Sequence, residues 1–175
     1  MSASPSPKVL WLLGSDSDLP HIQGGVDTLR NLNIPTQVRI LSAHRTPNQV
    51  VEVVAGARAA GVQVLIGVAG GAAHLPGVIA AHTTLPVIGV PVPTDMAGGL
   101  DSLLSIVQMP SGIPVATVSA NKAGGKNAAL LAARIMGVAD ATVAAALDRN
   151  RAEMEKGVLA KDAKVSGGAK AAAGA

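Results

Sequence analysis

Short hydrophobic segments alternate with longer mixed segments along most of the chain, and this alternation predicts its secondary structure. Residues 8–13 form a continuous apolar run that ends at Gly14, which is typical of a strand buried on both faces. Four further strands are predicted over residues 36–41, 63–68, 86–90 and 114–118. The intervening and following segments predict helices over residues 19–31, 47–60, 75–82, 101–109, 122–136 and 141–155.

Strands that alternate with helices predict a three-layer α/β/α fold. Right-handed crossovers would build a parallel central sheet of about five strands with helices on both faces, flavodoxin-like or Rossmann-like, followed by C-terminal helices. In such sheets, ligands sit outside the carboxyl ends of the strands, near the point where the strand order reverses. We therefore expect the chemistry in the loops that leave the first three strands.

A chain of 175 residues is long enough for one domain, which we expect over residues 8–157 as the catalytic unit. Residues 1–7, rich in Ser and Pro, predict a disordered leader, and the Gly/Ala/Lys-rich residues 158–175 predict a loose, low-complexity tail. The 36 residues between Arg58 and Asp95 contain no Asp, Glu, Lys or Arg, which is long enough for a membrane span. Glycines, prolines and polar residues divide this stretch into short pieces, so we expect core and not membrane.

Charge is scarce in the body of the chain. The charged fraction is 14%, against about 25% in typical soluble domains. Residues 1–147 contain eight Lys/Arg and seven Asp/Glu, so most of the net charge of +3 comes from the last 28 residues. Nucleic-acid binding needs basic residues clustered on the folded part, and we expect none. A surface with few charged residues fits either an ordinary Ala/Gly-rich exterior or burial between identical subunits, and we favour the second.

The residue types that are absent exclude several classes of site. The chain has no Cys, which excludes disulfides, a thiol nucleophile and Cys-based zinc sites. It has no Phe or Tyr, so Val, Ile, Leu and Ala must build the core around the single Trp11. No pair of His and acidic residues has metal-ligand spacing, so we expect no metal site. No cationic stretch followed by an apolar run opens the chain, so we expect no secretory signal and a cytoplasmic location.

The loops after the first two predicted strands are polar. Residues 14–18 (Gly-Ser-Asp-Ser-Asp) open a helix, where amides and hydroxyls suit a phosphate and the carboxylates suit sugar hydroxyls, although a plain helix cap fits equally. Residues 42–47 (Ser-Ala-His-Arg-Thr-Pro) place His44 for proton transfer and Arg45 for phosphate binding. The alternative for these two is a surface His and a solvated Arg.

The loop after the third predicted strand is small and glycine-rich. Residues 69–77 read Ala-Gly-Gly-Ala-Ala-His-Leu-Pro-Gly, which lets the backbone approach a ligand closely or form a tight packing turn. It matches neither a P-loop nor G-x-G-x-x-G, so a nucleoside triphosphate or NAD is not indicated. His21 and His82 fit structural positions better than catalytic ones. The absence of G-x-S-x-G argues against acyl-enzyme chemistry.

With these loops and a fourth segment over residues 101–114, the sequence resembles the class I N5-carboxyaminoimidazole ribonucleotide mutases of bacterial purine biosynthesis. The resemblance runs from about Val9 to Met136. The related direct carboxylases (class II) tend to have Lys at the position of Arg45 and no His at that of His74, so the residues favour the mutases. The sequence departs from the family pattern at residues 93–95, at Ser111 and after Glu155, which leaves interface detail and contacts at the substrate edge open.

The resemblance implies a reaction and a set of site residues. Such enzymes move a carboxylate from the exocyclic nitrogen of an aminoimidazole ribonucleotide to ring carbon C4 through trapped CO2. They need no metal or organic cofactor and form homo-octamers with sites at subunit junctions. The implied catalytic residues are His44, the general acid/base, and His74, which shapes the pocket. The implied substrate-binding residues are Ser15, Ser42 and Arg45 at the phosphate, Asp18 at the ribose, and Ala43, Gly71, Ala72 and Leu75 around them.

Two alternatives remain at this point. The enzymatic alternative is direct carboxylation of aminoimidazole ribonucleotide by CO2. The other is a non-catalytic FMN carrier with a flavodoxin-like fold. An isoalloxazine ring usually stacks on aromatic side chains. The chain has one Trp, Trp11 inside the first predicted strand, and no Phe or Tyr, which argues against the FMN carrier.

Overall fold

The structure, a computed structural model, describes residues 6–173, and side chains only as far as residue 166. Residues 1–5 of the predicted leader lie outside this range. Each predicted strand is present: β1 Val9–Leu13, β2 Thr36–Ile40, β3 Val64–Ala69, β4 Val87–Pro91 and β5 Ala116–Thr117. The helices are α1 Leu19–Asn31, α2 Pro47–Ala57, α3 Leu75–Ala81, α4 Leu100–Val107, α5 Gly124–Gly137 and α6 Ala141–Ala173, with short 3-10 helices at Asp16–Asp18 and Ala97–Gly99.

The five strands form one parallel sheet in the order β2-β1-β3-β4-β5, which confirms the predicted fold class. This is the flavodoxin-like order, in which the chain winds from β1 to one side and then returns to continue on the other. The strand order therefore reverses between β1 and β3. Strand β5 is shorter than the predicted 114–118. At its predicted start, Pro114 has no amide hydrogen to donate to a neighbouring strand.

Hydrophobic side chains fill the space on both faces of the sheet. Strands β1, β3 and β4 are buried along their whole length, as expected for central parallel strands. One face packs against α1, α5 and the start of α6, and the other against α2, α3 and α4. Trp11 is completely buried on the first face, and its indole N–H donates a hydrogen bond to the Thr36 hydroxyl at 3.0 Å. The long stretch without charged residues is thus core and loop.

Helices α1 and α5 approach each other closely through two glycines. A β-carbon added at Gly25 would overlap the carbonyl oxygen of Gly125 and lie 2.8 Å from Cη2 of Trp11. A β-carbon at Gly125 would overlap the carbonyl oxygen of His21. The missing side chains therefore let two backbones touch. This contact fixes α1, whose N-terminal end carries the loop after β1.

Gly25→Ala is expected to lower the free energy of unfolding by about 1–3 kcal/mol, because the added methyl group overpacks a backbone contact that cannot yield. Gly24→Ala is the matched control, since a β-carbon there meets nothing within 4 Å. Alanine in an open helical position should raise stability by about 0.5–1 kcal/mol. Urea unfolding of both variants measures the difference. Equal effects of the two substitutions would contradict this packing argument.

Helix α6 is longer than the sequence predicts. The sequence predicts an end near Glu155 and a loose tail from residue 158, but the helix continues to Ala173. The side chains of residues 151–166 are all exposed, so no packing explains the extension. The extension is rich in residues with high intrinsic helix propensity, namely Ala, Lys, Glu and Leu. Its low-complexity composition had favoured a loose tail instead. Among residues 6–173, no helix has both the length and the apolar character required to cross a bilayer.

Candidate active site

A pocket of about 530 Å³ opens at the carboxyl edge of the sheet, where the strand order reverses. The loops after β1, β2, β3 and β4 line it. Gly71, one of the ten predicted site residues, lies beside the pocket without lining it. The other nine predicted residues come together in its wall: Ser15, Asp18, Ser42, Ala43, His44, Arg45, Ala72, His74 and Leu75.

The loop after β1 is a helix cap that also faces the pocket. The Ser15 hydroxyl accepts a hydrogen bond from the Ser17 amide at 3.3 Å, and the Asp18 carboxylate accepts one from the Ser15 amide at 3.1 Å. This reciprocal pairing is a capping box. Both interpretations of the sequence therefore apply, because the capping residues Ser15, Ser17 and Asp18 also line the pocket.

Asp18 is a buried carboxyl group. Its side chain is only 7% exposed, and burial raises its pKa above the usual value, while the hydrogen bond from the Ser15 amide acts in the opposite direction. A buried carboxylate has lost most of its hydration and gains from further hydrogen-bond donors. Asp18 is therefore suited to bind hydroxyl groups of a ligand in the pocket.

The loop after β2 is shaped by Ser42 and presents His44 and Arg45. The Ser42 hydroxyl accepts hydrogen bonds from the amides of His44 at 3.3 Å and Arg45 at 3.2 Å. Thr46 closes the turn, since its hydroxyl accepts from the Ser42 amide at 2.9 Å. The Arg45 guanidinium donates to the Gly14 carbonyl at 2.7 Å, which joins the loops after β1 and β2. Its remaining N–H groups are available for an anion.

His44 and His74 are in direct contact, although 30 residues separate them. Nε2 of His44 lies 2.8 Å from Nδ1 of His74, and the rings meet edge to face with centroids 4.9 Å apart. At this distance, one of the two nitrogens carries the proton and the other accepts it. Both rings cannot carry a proton on the facing nitrogens at once. The pair therefore joins the loops after β2 and β3 through one N–H···N hydrogen bond, whose direction depends on the tautomers of the two rings.

The glycine-rich loop after β3 is held by a buried hydroxyl. Gly71 has φ of 67°, in the left-handed region, and its amide donates a hydrogen bond to the Ser102 hydroxyl at 2.9 Å. Two tight turns follow, in which the Ala73 amide bonds the Gly71 carbonyl and the His74 amide bonds the Ala72 carbonyl, each at 2.8 Å. The position of Gly71 is thus transmitted to His74 over three residues.

Comparison with known proteins identifies the family of this chain. The sequence profile of the AIR carboxylase family matches residues 8–157. The chain belongs to the AIR carboxylase family. An N5-carboxyaminoimidazole ribonucleotide mutase of Bacillus subtilis is 51% identical over 153 residues, covering 87% of this chain and 94% of that protein. A protein of the same name from Mycobacterium tuberculosis (strain ATCC 25618 / H37Rv) is 50% identical over 163 residues, covering 93% and 92%.

Solved structures agree with this AIR carboxylase family assignment. A crystal structure of Treponema denticola PurE matches with a TM-score of 0.82 and 33% sequence identity, and the alignment covers 90% of this chain and 98% of that one. The family resemblance inferred from the loop motifs is therefore confirmed.

In this AIR carboxylase family member, the loop after β4 also lines the pocket, which the sequence analysis missed. Val92, Pro93 and Thr94 form one wall. The three-loop prediction stopped at β3, but β4 lies next to β3 in the sheet. The rule about carboxyl ends of parallel strands applied equally to β4, and the polar Thr94 shortly after it was the available signal.

The remaining histidines lie outside this pocket. His21 is on α1, and His82 ends α3, as their structural interpretation predicts. Among the described residues, no group of three or more His, Cys, Asp or Glu side chains could hold a metal ion. The metal-free site stays an expectation from the sequence.

Proposed function

We propose that this protein is an N5-carboxyaminoimidazole ribonucleotide mutase of purine biosynthesis, which forms 4-carboxyaminoimidazole ribonucleotide by moving a carboxylate. The observation that carries the proposal is the His44–His74 pair, set in a pocket beside Arg45, in a chain 51% identical to a protein of that name. Proton transfer by one His and retention of CO2 account for the reaction with protein groups alone.

The ribonucleotide binds with its phosphate at the loops after β1 and β2. Ser15, Ser42 and Arg45 all line this part of the pocket. Arg45 contributes a charge-assisted, two-pronged contact that suits a phosphate. The buried carboxylate of Asp18 accepts hydrogen bonds from the ribose hydroxyls. This orientation directs the imidazole ring towards His44 and His74.

His44 acts as general acid and then as general base. It first donates a proton to the exocyclic nitrogen as the bond between this nitrogen and the carboxylate carbon breaks, which releases CO2. Ring carbon C4 then attacks CO2 and forms the new carbon–carbon bond. His44 takes the proton from C4, which restores the aromatic ring and returns the imidazole to its starting state. His74 orients the His44 ring through the hydrogen bond between their facing nitrogens, 2.8 Å apart.

The walls near the two histidines suit the retention of CO2. Gly70, Ala72, Leu75 and Val92 supply small, uncharged surface there. Uncharged walls of this kind offer no competing ionic partner, and they help to keep CO2 at high effective concentration beside C4. The same small residues leave room for the flat ring of the substrate.

The protein assembles as a homo-octamer in the cytoplasm, with its pockets near subunit junctions. Helix α4, beside the pocket, supports this proposal. Leu100, Leu104 and Val107 lie on one face of α4 and are 47%, 46% and 51% exposed. Exposed apolar stripes of this kind mark interfaces. Light scattering is expected to give the mass of eight chains, and a monomer would contradict the assembly.

A direct carboxylase is the second candidate, because the matching family is described as AIR carboxylase. The test offers purified protein either N5-carboxyaminoimidazole ribonucleotide without added bicarbonate, or aminoimidazole ribonucleotide with bicarbonate. We expect rapid product formation from the first substrate. Activity only with the second pair would replace the mutase by the carboxylase. Flavin absorbance in the purified protein would instead favour the FMN carrier.

A further inference from the structure

Ser102 is a completely buried hydroxyl in the first turn of α4, and it does not line the pocket. Its oxygen accepts a hydrogen bond from the Gly71 amide at 2.9 Å and donates one to the Val92 carbonyl at 2.7 Å. Gly71 belongs to the loop after β3, and Val92 to the loop after β4. One side chain therefore joins two pocket loops from behind.

The residue before Ser102 makes a second connection of the same kind. The Asp101 carboxylate accepts a hydrogen bond from the Thr94 hydroxyl at 2.6 Å, and Thr94 lines the pocket. This hydrogen bond holds the pKa of Asp101 below its usual value, so the acceptor stays ionised. Asp101 and Ser102, together called the α4 clasp here, hold the loops after β3 and β4 through side-chain hydrogen bonds.

We propose that Asp101 and Ser102 are positioning residues that set the contact between His74 and His44. Ser102 holds Gly71 in its left-handed conformation, and the two turns at Ala72 and Ala73 carry that position to His74. Asp101 acts through Thr94, which lies against Gly70, the neighbour of Gly71. His74 in turn faces His44 at 2.8 Å. This inference rests on the proposed function, because it assigns the clasp a part in that reaction.

The α4 clasp affects the rate of the chemical step and not the binding of the phosphate. Ser15, Ser42 and Arg45 lie on the loops after β1 and β2, and their hydrogen bonds involve neither Asp101 nor Ser102. Loss of the Ser102 hydroxyl leaves the Gly71 amide and the Val92 carbonyl without this buried partner. A shift of the loop after β3 by a fraction of an ångström then misplaces His74.

The test compares Ser102→Ala with Ser102→Thr, which keeps the hydroxyl, and with Ser105→Ala on the same helix. Among the described residues, Ser105 makes no side-chain hydrogen bond to a pocket loop. Ser102→Ala is expected to lower kcat about 10- to 100-fold, with KM within about 3-fold of wild type, since small displacements of reacting groups cost this much. Ser102→Thr should recover most of kcat, and Ser105→Ala should match wild type.

NMR of the histidine ring signals in ligand-free protein provides a readout besides activity. Ser102→Ala should shift the His44 and His74 signals and leave those of His21 and His82 in place. Asp101 is partly exposed, so Asp101→Ala replaces Ser102→Ala if the latter fails to fold. It is expected to shift the same His44 and His74 ring signals. Unchanged ring signals and unchanged kcat in a folded variant would overturn the proposal. Wild-type protein without mutase activity would refute the proposed function. The ring signals would then still test whether the α4 clasp sets the contact between His74 and His44.

Discussion

Replacement of His44 by Asn is expected to reduce turnover of N5-carboxyaminoimidazole ribonucleotide to background, a loss of about 10²- to 10⁴-fold in kcat or more. The Ser42 and Thr46 hydroxyls hold the loop after β2 without using the His44 ring, so the fold of this loop should survive. It cannot donate and recover a proton near neutral pH. KM should therefore change little, and steady-state kinetics separates the two parameters.

His82→Asn is the matched control for this prediction. His82 ends α3, is exposed and lies outside the pocket, so the same substitution there should leave kcat and KM unchanged. Circular dichroism and thermal unfolding of both variants establish that each is folded. Near-normal turnover by folded His44→Asn would remove His44 as the general acid/base.

Arg45→Met is expected to raise KM about 10- to 100-fold, with a much smaller change in kcat. The substitution removes a charged hydrogen-bond donor, and such bonds contribute about 1.5–3 kcal/mol each. Methionine keeps the length and apolar part of the side chain. The hydrogen bond to the Gly14 carbonyl is also lost, which loosens the loop that carries Ser15. Steady-state kinetics with the intact ribonucleotide measures both parameters.

Arg39→Met controls for the loss of a positive charge. Arg39 is exposed on β2, six residues before Arg45 in the following loop, and does not line the pocket. Its replacement should leave KM unchanged. A KM for Arg45→Met equal to that of wild type would mean that the phosphate binds elsewhere. Inorganic phosphate, as a competitive inhibitor, should lose affinity in Arg45→Met alone.

Much of the fold could be predicted because each element has a local signal. The continuous apolar run of β1 and the proline at the start of α2 fixed these elements to within a few residues. Parallel strands then bring their carboxyl ends to one edge, so polar residues at 15–18 and 42–45 had to lie near one another. Their meeting in one pocket follows from topology and needed no knowledge of side-chain contacts.

The contacts inside the site could not be predicted in this way. Whether His44 touches His74 depends on the exact turns after β2 and β3, and no local pattern encodes a distance between residues 30 positions apart. The sequence analysis assigns no role to Ser102, because the burial of its hydroxyl depends on Gly71 and Val92, which are distant in the sequence. Helix α6 continues beyond the predicted end near Glu155, because the low-complexity composition of residues 158–175 gave no sign of an ordered helix.

The two edges of the sheet determine how copies of this chain can meet. Strand β5 offers only two residues for pairing, and β2 presents the charged Arg39 and the polar Gln37 to solvent. Short edges and exposed charge discourage the addition of a further strand from outside. In the proposed octamer, copies are therefore expected to join through helix faces, and not by extending one sheet into the next. The carboxyl edge that carries the pocket would then stay free of strand-to-strand aggregation.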